Sequence, residues 1–125
     1  MGGIAGHAGC FASALDVTGF AECMLRGGDP LFNRHTVELF TQRQALPPES
    51  SRTLGWDTPS SPSQSGRYLS RKSFGHLGYT GTSLWIDPER QLSVTLLTNR
   101  TWPDRGSQAI KIVRPAFHDA VVEAL

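Results

Sequence analysis

The sequence predicts an α+β chain: a three-stranded antiparallel sheet with flanking helices. Three observations predict it. Apolar residues recur at helical spacing from Val17 to Leu25, and again from Ile110 to Leu125. Between Ser73 and Thr98 the pattern shortens into three strand candidates. Asp87-Pro88-Glu89-Arg90 then forms a turn between the last two, with Pro88 suited to its second position. A small sheet covered by helices is an α+β arrangement.

The elements follow in order. Glycines at 2, 3, 6 and 9 give a start that suits the inside of a larger body better than a free end. Ser13, with Asp16 three residues later, has the pattern of a capping box and opens a helix over about 14–26. Val17, Phe20, Ala21, Met24 and Leu25 form its apolar stripe, and Gly27-Gly28 ends it with a left-handed residue. Gly19, in its middle, marks a place for close backbone approach. Asn33 caps a second helix over about 34–43, with Phe32 and Val37 placed as a hydrophobic staple. Pro47 and Pro48 bar any continuation. Leu54 and Trp56 alternate in a short strand at best, and residues 58–66 read as a surface loop.

Strands are expected over Ser73–Tyr79, Thr82–Asp87 and Leu92–Thr98, with a bend or bulge around Gly81. The last two pair antiparallel across the turn. Ser107 is placed to cap a final helix over about 108–124. Its buried face is read as Ile110, Val113, Phe117, Val121 and Leu125, and Pro115 should kink it or begin a new segment.

Composition excludes several classes. At 38% hydrophobic and 18% charged residues, the chain is not a disordered tail or a coiled coil. Lys+Arg 12 against Asp+Glu 11 leaves +1, so charge gives no reason to expect nucleic acid as a partner. No apolar run reaches the length of a membrane span. The start lacks the basic and apolar regions of a signal peptide, so the chain as given is expected in the cytoplasm. Cys10 and Cys23 make neither a disulfide framework nor a metal motif and are expected to be reduced core fillers. The four histidines show no ligand spacing, so no metal and no cofactor is expected.

The sharpest local feature is Phe74-Gly75-His76-Leu77-Gly78-Tyr79-Thr80-Gly81. Gly78 lets a ligand run alongside the strand, because no side chain blocks it. A histidine at position 76 can donate a hydrogen bond or move a proton. The plainer alternative is a bend whose glycines relieve crowding, with His76 a surface residue. His7 also lies among glycines, where loop packing explains it equally well. His118 reads as a surface or groove-filling residue, and Arg67, Arg71 and Lys72 as a solvated basic patch.

These residues carry a resemblance. Gly6-His7-Ala8-Gly9-Cys10-Phe11 runs into the first helix, Leu54-Gly55-Trp56-Asp57 follows, and then the block Phe74–Pro88 and Leu96-Leu97-Thr98-Asn99-Arg100. Together they resemble the C-terminal part of a serine hydrolase of the class C β-lactamase and penicillin-binding-protein superfamily. The likeness is greatest to its broad β-lactamase-related group of esterases and peptidases. The resemblance places the group's third active-site motif, Lys-Thr-Gly or His-Thr-Gly, on His76-Leu77-Gly78. It implies that His76 stands beside the substrate or the catalytic base. It implies that the Tyr79 N–H is one donor of the oxyanion hole, with Gly78, Leu77 and His7 lining the substrate. Leu77 departs from the usual Thr or Ser and removes a hydroxyl.

The resemblance also identifies what is missing. The family nucleophile belongs to Ser-x-x-Lys, and no serine here is followed three residues later by lysine. Tyr68-Leu69-Ser70 has the letters of the second motif, Tyr-x-Asn or Tyr-x-Ser, but lies just before His76 instead of far upstream, and reads as coincidence. Residues 1–125 are therefore expected to be a partial domain, a fragment of the β-lactamase/transpeptidase-like fold. It would hold one wall of a hydrolase site and no nucleophile, and would be inactive alone. Its expected partner is the missing N-terminal portion or a second copy. A longer parent, periplasmic or secreted, would act on a small-molecule ester, amide or β-lactam. Two other readings stay open: one half of a split hydrolase, and a non-catalytic binding or interaction module.

Overall fold

The structure, a computed structural model, describes residues 2–3 and 9–125. Helix α1 spans Ala14–Leu25. The Ser13 hydroxyl accepts from the Asp16 N–H at 3.2 Å, and the Asp16 carboxylate accepts from the Ser13 N–H at 3.1 Å, which completes the capping box. At the other end the Gly27 N–H donates to the Met24 carbonyl and the Gly28 N–H to the Cys23 carbonyl. This is a Schellman turn, and Gly27 sits in it at φ 77°, where a Cβ would be penalised. Gly19 departs from expectation: it is exposed, and no atom lies within 4 Å of where its Cβ would stand. Helix α2 spans Arg34–Thr41, with the Asn33 side chain accepting from the His35 N–H at 2.8 Å.

Strands β1 (Phe74–Leu77), β2 (Ser83–Asp87) and β3 (Leu92–Leu96) form an antiparallel meander in the order β1-β2-β3. Phe74 lies opposite Ile86, and Leu77 opposite Ser83. Alternation along the strands sends Leu84 and Ile86 to one face and Ser83, Trp85 and Asp87 to the other. The first face packs on α1 and α2 in a core of Ala21, Met24, Val37, Phe74 and Ile86. Trp56 extends that core by stacking on Phe20 at 6.2 Å and meeting the Phe74 ring edge-on at 5.3 Å. Its segment makes only isolated bridges, Arg52 with Asp57 and Asp57 with Gly75, instead of a strand. On the other face the Trp85 ring lies across Gly75, where a Cβ would approach Trp85 Cδ2 to 2.5 Å.

Asp87 holds the β2–β3 turn together. Its buried carboxylate accepts from the Ser70 N–H and hydroxyl, each at 2.7 Å, and from the Glu89 and Arg90 N–H groups at 3.0 and 3.1 Å. Burial alone would raise this carboxyl group's pKa. The hydrogen bonds from Ser70, Arg90 and Ser73 outweigh it and hold the group below its ordinary value. Ser70 is thereby committed to a structural anchor.

Helix α3, Ile110–Glu123, covers the second face, corrects two expectations and narrows a third. Ala109 holds the N-cap position with no side-chain cap, and the Ser107 hydroxyl only accepts a long 3.4 Å bond from the Ala109 N–H. Pro115 does not divide the helix. The Lys111 carbonyl, which Pro115 deprives of its intrahelical donor, accepts from Gln64 Nε2 at 3.1 Å instead. The buried residues of α3 are Arg114, His118 and Asp119, whereas Val113 and Leu125 are exposed. The helix therefore docks through polar groups, because the carbonyls and hydroxyls it faces need donors and acceptors. The two cysteines differ as well. Cys23 is buried, with its Sγ 3.1 Å from the Gly28 carbonyl, but Cys10 is exposed and fills no core.

Candidate active site

Beyond β1 the chain turns back into β2 through residues 78–82. The Gly78 N–H donates to the Thr82 carbonyl at 2.8 Å, and the Gly81 N–H to the Gly78 carbonyl at 3.0 Å. Two glycines make so tight a turn possible. A Cβ on Gly78 would collide with the Thr82 hydroxyl. Gly81 adopts φ 98°, and a Cβ there would strike Thr98 Oγ1.

This turn displays the expected groups. His76 is exposed near the end of β1, and its Nδ1 lies 2.9 Å from the Leu77 carbonyl. A carbonyl only accepts, so the proton is assigned to Nδ1 and Nε2 keeps an open lone pair. Tyr79 is exposed, and its ring lies under the Arg100 guanidinium at 4.6 Å. The Tyr79 carbonyl accepts from Arg100 Nε at 2.8 Å. The Tyr79 N–H, by contrast, makes no hydrogen bond among the described residues. Leu77 is half-buried and offers no hydroxyl, and the space beside Gly78, expected to be free for a ligand, is filled by the Thr82 hydroxyl. His76, Leu77, Gly78 and Tyr79 are thus brought together on one exposed rim. His7 lies outside the described residues.

Two groups behind this rim have roles that the sequence did not reveal. Arg114, buried on α3, donates from Nη2 to the Gly78 carbonyl at 2.8 Å and from Nε to the Gly81 carbonyl at 3.0 Å. Burial, and secondarily the nearby charge of Arg100, hold its pKa below the ordinary value. One helical turn further on, His118 is fully buried and its Nε2 lies 3.0 Å from the Ser83 hydroxyl. This excludes the surface alternative of its sequence reading and leaves it as a residue that fills the space between helix and sheet. Burial first, and then the positive charge of Arg114, lower its pKa to about 4, against an opposing pull from Asp119. The ring is therefore neutral at physiological pH.

A serine bonded to a histidine invites a nucleophile reading, which the geometry opposes. Among the described residues His118 Nδ1 has no hydrogen-bond partner, and none of them supplies the third group that would orient a catalytic base. Ser83 and Ser73 are both buried, which leaves a substrate almost no surface to reach. Among the described residues, no three His, Cys, Asp or Glu gather where a metal could be held. The rim can therefore offer an acceptor or proton carrier at His76 and a backbone donor at Tyr79.

Comparison with known proteins places this geometry in context. A family model described as Beta-lactamase matches residues 1–115. The "N-acetylmuramyl-L-alanine amidase" of Bacillus subtilis (strain 168) is 38% identical over 107 residues, which are 80% of this chain and 24% of that protein. A "Putative D-alanyl-D-alanine carboxypeptidase" of Salmonella agona (strain SL483) is 36% identical over 107 residues, with the same two coverages. Among solved structures, a beta-lactamase from Mycobacterium bovis matches with a TM-score of 0.73 at 26% identity, covering 90% of this chain and 44% of that one. The chain spans about a quarter of the length of the curated relatives it matches.

Proposed function

The chain belongs to the beta-lactamase family, and we propose that it forms one wall of a serine hydrolase site whose nucleophile lies on other residues. In this reading the Tyr79 N–H donates to the oxyanion that develops when an acyl carbonyl is attacked. Such a donor needs fixed geometry and a place in the open, and it contributes about 10²–10³ in rate. His76, with Nε2 open, stands beside the substrate as a hydrogen-bonding or proton-carrying auxiliary. The acyl-accepting serine and its base come from a Ser-x-x-Lys segment, either of a longer protein or of a second chain. The whole site would hydrolyse an ester, an amide or a β-lactam through an acyl-serine intermediate. The names of the Bacillus and Salmonella relatives favour an amide bond.

The observation that carries this reading is the unbonded Tyr79 N–H beside His76 on a turn whose carbonyls are occupied. The 125-residue chain treated with a serine-reactive phosphonate should keep its intact mass. It should also hydrolyse a nitrophenyl ester no faster than free histidine does. A stoichiometric adduct mapped to one serine of this chain would overturn the reading.

A further inference from the structure

We infer that Arg114 is a positioning residue that sets the direction of the Tyr79 N–H by holding the carbonyl at the opposite edge of the same peptide plane. The inference deepens the proposed function, and it rests on the reading of that N–H as an oxyanion donor.

The peptide unit joining Gly78 to Tyr79 is planar and trans, so its carbonyl and its N–H point in opposite directions. Arg114 Nη2 grips that carbonyl at 2.8 Å. Fixing the oxygen on the α3 side aims the N–H away from α3, where an incoming carbonyl can meet it. The Gly81 N–H also bonds this carbonyl, at 3.0 Å from within the turn. Arg114 adds the tie that anchors the plane to α3, and Gly78, with no Cβ, lets the plane and the turn move together once that anchor is gone. The same guanidinium holds the far end of the turn at the Gly81 carbonyl, 3.0 Å from Nε. The carbonyls between are also taken. Tyr79 O accepts from Arg100 Nε at 2.8 Å, and Thr80 O accepts from the Arg100 N–H at 2.9 Å and the Thr98 hydroxyl at 3.0 Å. All four carbonyls of the turn are thus bound, and the N–H of Tyr79 is left unbonded.

The cost of this arrangement argues for a purpose. Arg114 is 6% exposed and has no ion-pair partner among the described residues. Burying an unpaired charge is expensive, and carbonyl groups offset only part of that expense. A merely structural cap for two carbonyls is available from neutral donors. A planar fork that reaches both ends of a four-residue turn is a property of arginine, which lysine lacks.

The test uses ¹⁵N relaxation of the 125-residue chain, with Arg114→Lys and Arg114→Met compared to wild type. The backbone order parameter of Tyr79 should match that of a rigid strand, about 0.85, in wild type and fall below about 0.6 in Arg114→Met. Lysine, which offers a single nitrogen where the guanidinium uses two, one for each carbonyl, should restore it in part. Ile86 and Val94, in the sheet, should stay unchanged, as a general loss of stability would not leave them. If Arg114→Met does not fold, Arg114→Lys carries the test through the drop of Tyr79 relative to Val94. A Tyr79 order parameter equal to wild type in the folded variants would overturn the inference and leave the proposed function standing. A phosphonate adduct on this chain's own serine would do the reverse.

Discussion

Lowering the pH should destabilise this protein through one buried side chain, His118. The unfolded chain takes up a proton on this imidazole near 6.5, whereas the native state refuses it until about 4. Between those values the unfolded state binds more protons, so the free energy of unfolding falls as pH falls. The stability contributed by neutral His118 is complete above 6.5 and is lost as pH drops through the window to about 4. One proton over that window, at about 1.36 kcal/mol per pH unit, amounts to a loss of about 3 kcal/mol. That is a large share of the ~5–15 kcal/mol that stabilises a typical domain. Urea titrations followed by tryptophan fluorescence, with Trp85 buried as the reporter, would measure it at several pH values from 7.5 to 4.5. The control is His118→Gln, whose amide can still bond the Ser83 hydroxyl but does not titrate. Its stability should stay nearly flat where the wild type declines. Asp87 and Asp119, held below the ordinary carboxylate value by their hydrogen bonds, lose their contributions only at lower pH. Parallel pH dependences for wild type and His118→Gln would refute the reasoning.

Two further substitutions probe the packing that presents the site. Gly75→Ala should destabilise the chain by about 1–3 kcal/mol in the same urea assay, because the added methyl meets the Trp85 ring and the backbone of β2; a change within about 0.5 kcal/mol would show that the ring moves aside freely. Gln64→Ala should cost about 1 kcal/mol by stranding the Lys111 carbonyl that Pro115 leaves open. Adding Pro115→Ala to it should recover most of that loss, and a double variant no more stable than Gln64→Ala would contradict this account.

Local signals explain what was legible in the sequence. The Ser13–Asp16 box, the Gly27-Gly28 stop, the Asn33 cap and the turn at Asp87 each depend on a few adjacent residues, and each appears where the sequence placed it. The rim 76–79 was legible for the same reason, since glycines flank it on both sides. Helix α3 was not, because its register is set by distant partners. Arg114 reaches carbonyls 33 and 36 residues earlier, His118 a hydroxyl 35 residues earlier, and Asp119 the Arg67 N–H 52 residues earlier. Apolar spacing alone therefore puts Val113 and Leu125 on the buried face, although both are exposed. A histidine and an arginine one helical turn apart, each without an adjacent acid in the preceding turn, are the faint signal that a polar face was turned inward. Cys10 illustrates the opposite limit: residue type favours burial, yet nothing among the described residues packs over it.

We propose above that this chain supplies the oxyanion wall for a serine carried elsewhere. This is tested most directly by mixing the chain with the Bacillus subtilis relative from which the matched 107 residues have been removed. The rate of phosphonate labelling would then be followed by intact mass. Labelling should fall on the relative's portion alone, at a rate that rises when this chain is added. That gain should fall by about 10²-fold with Tyr79→Pro, which removes the N–H but keeps the fold's other donors. A labelling rate that is indifferent to the chain, or equal for Tyr79→Pro and wild type, would contradict it.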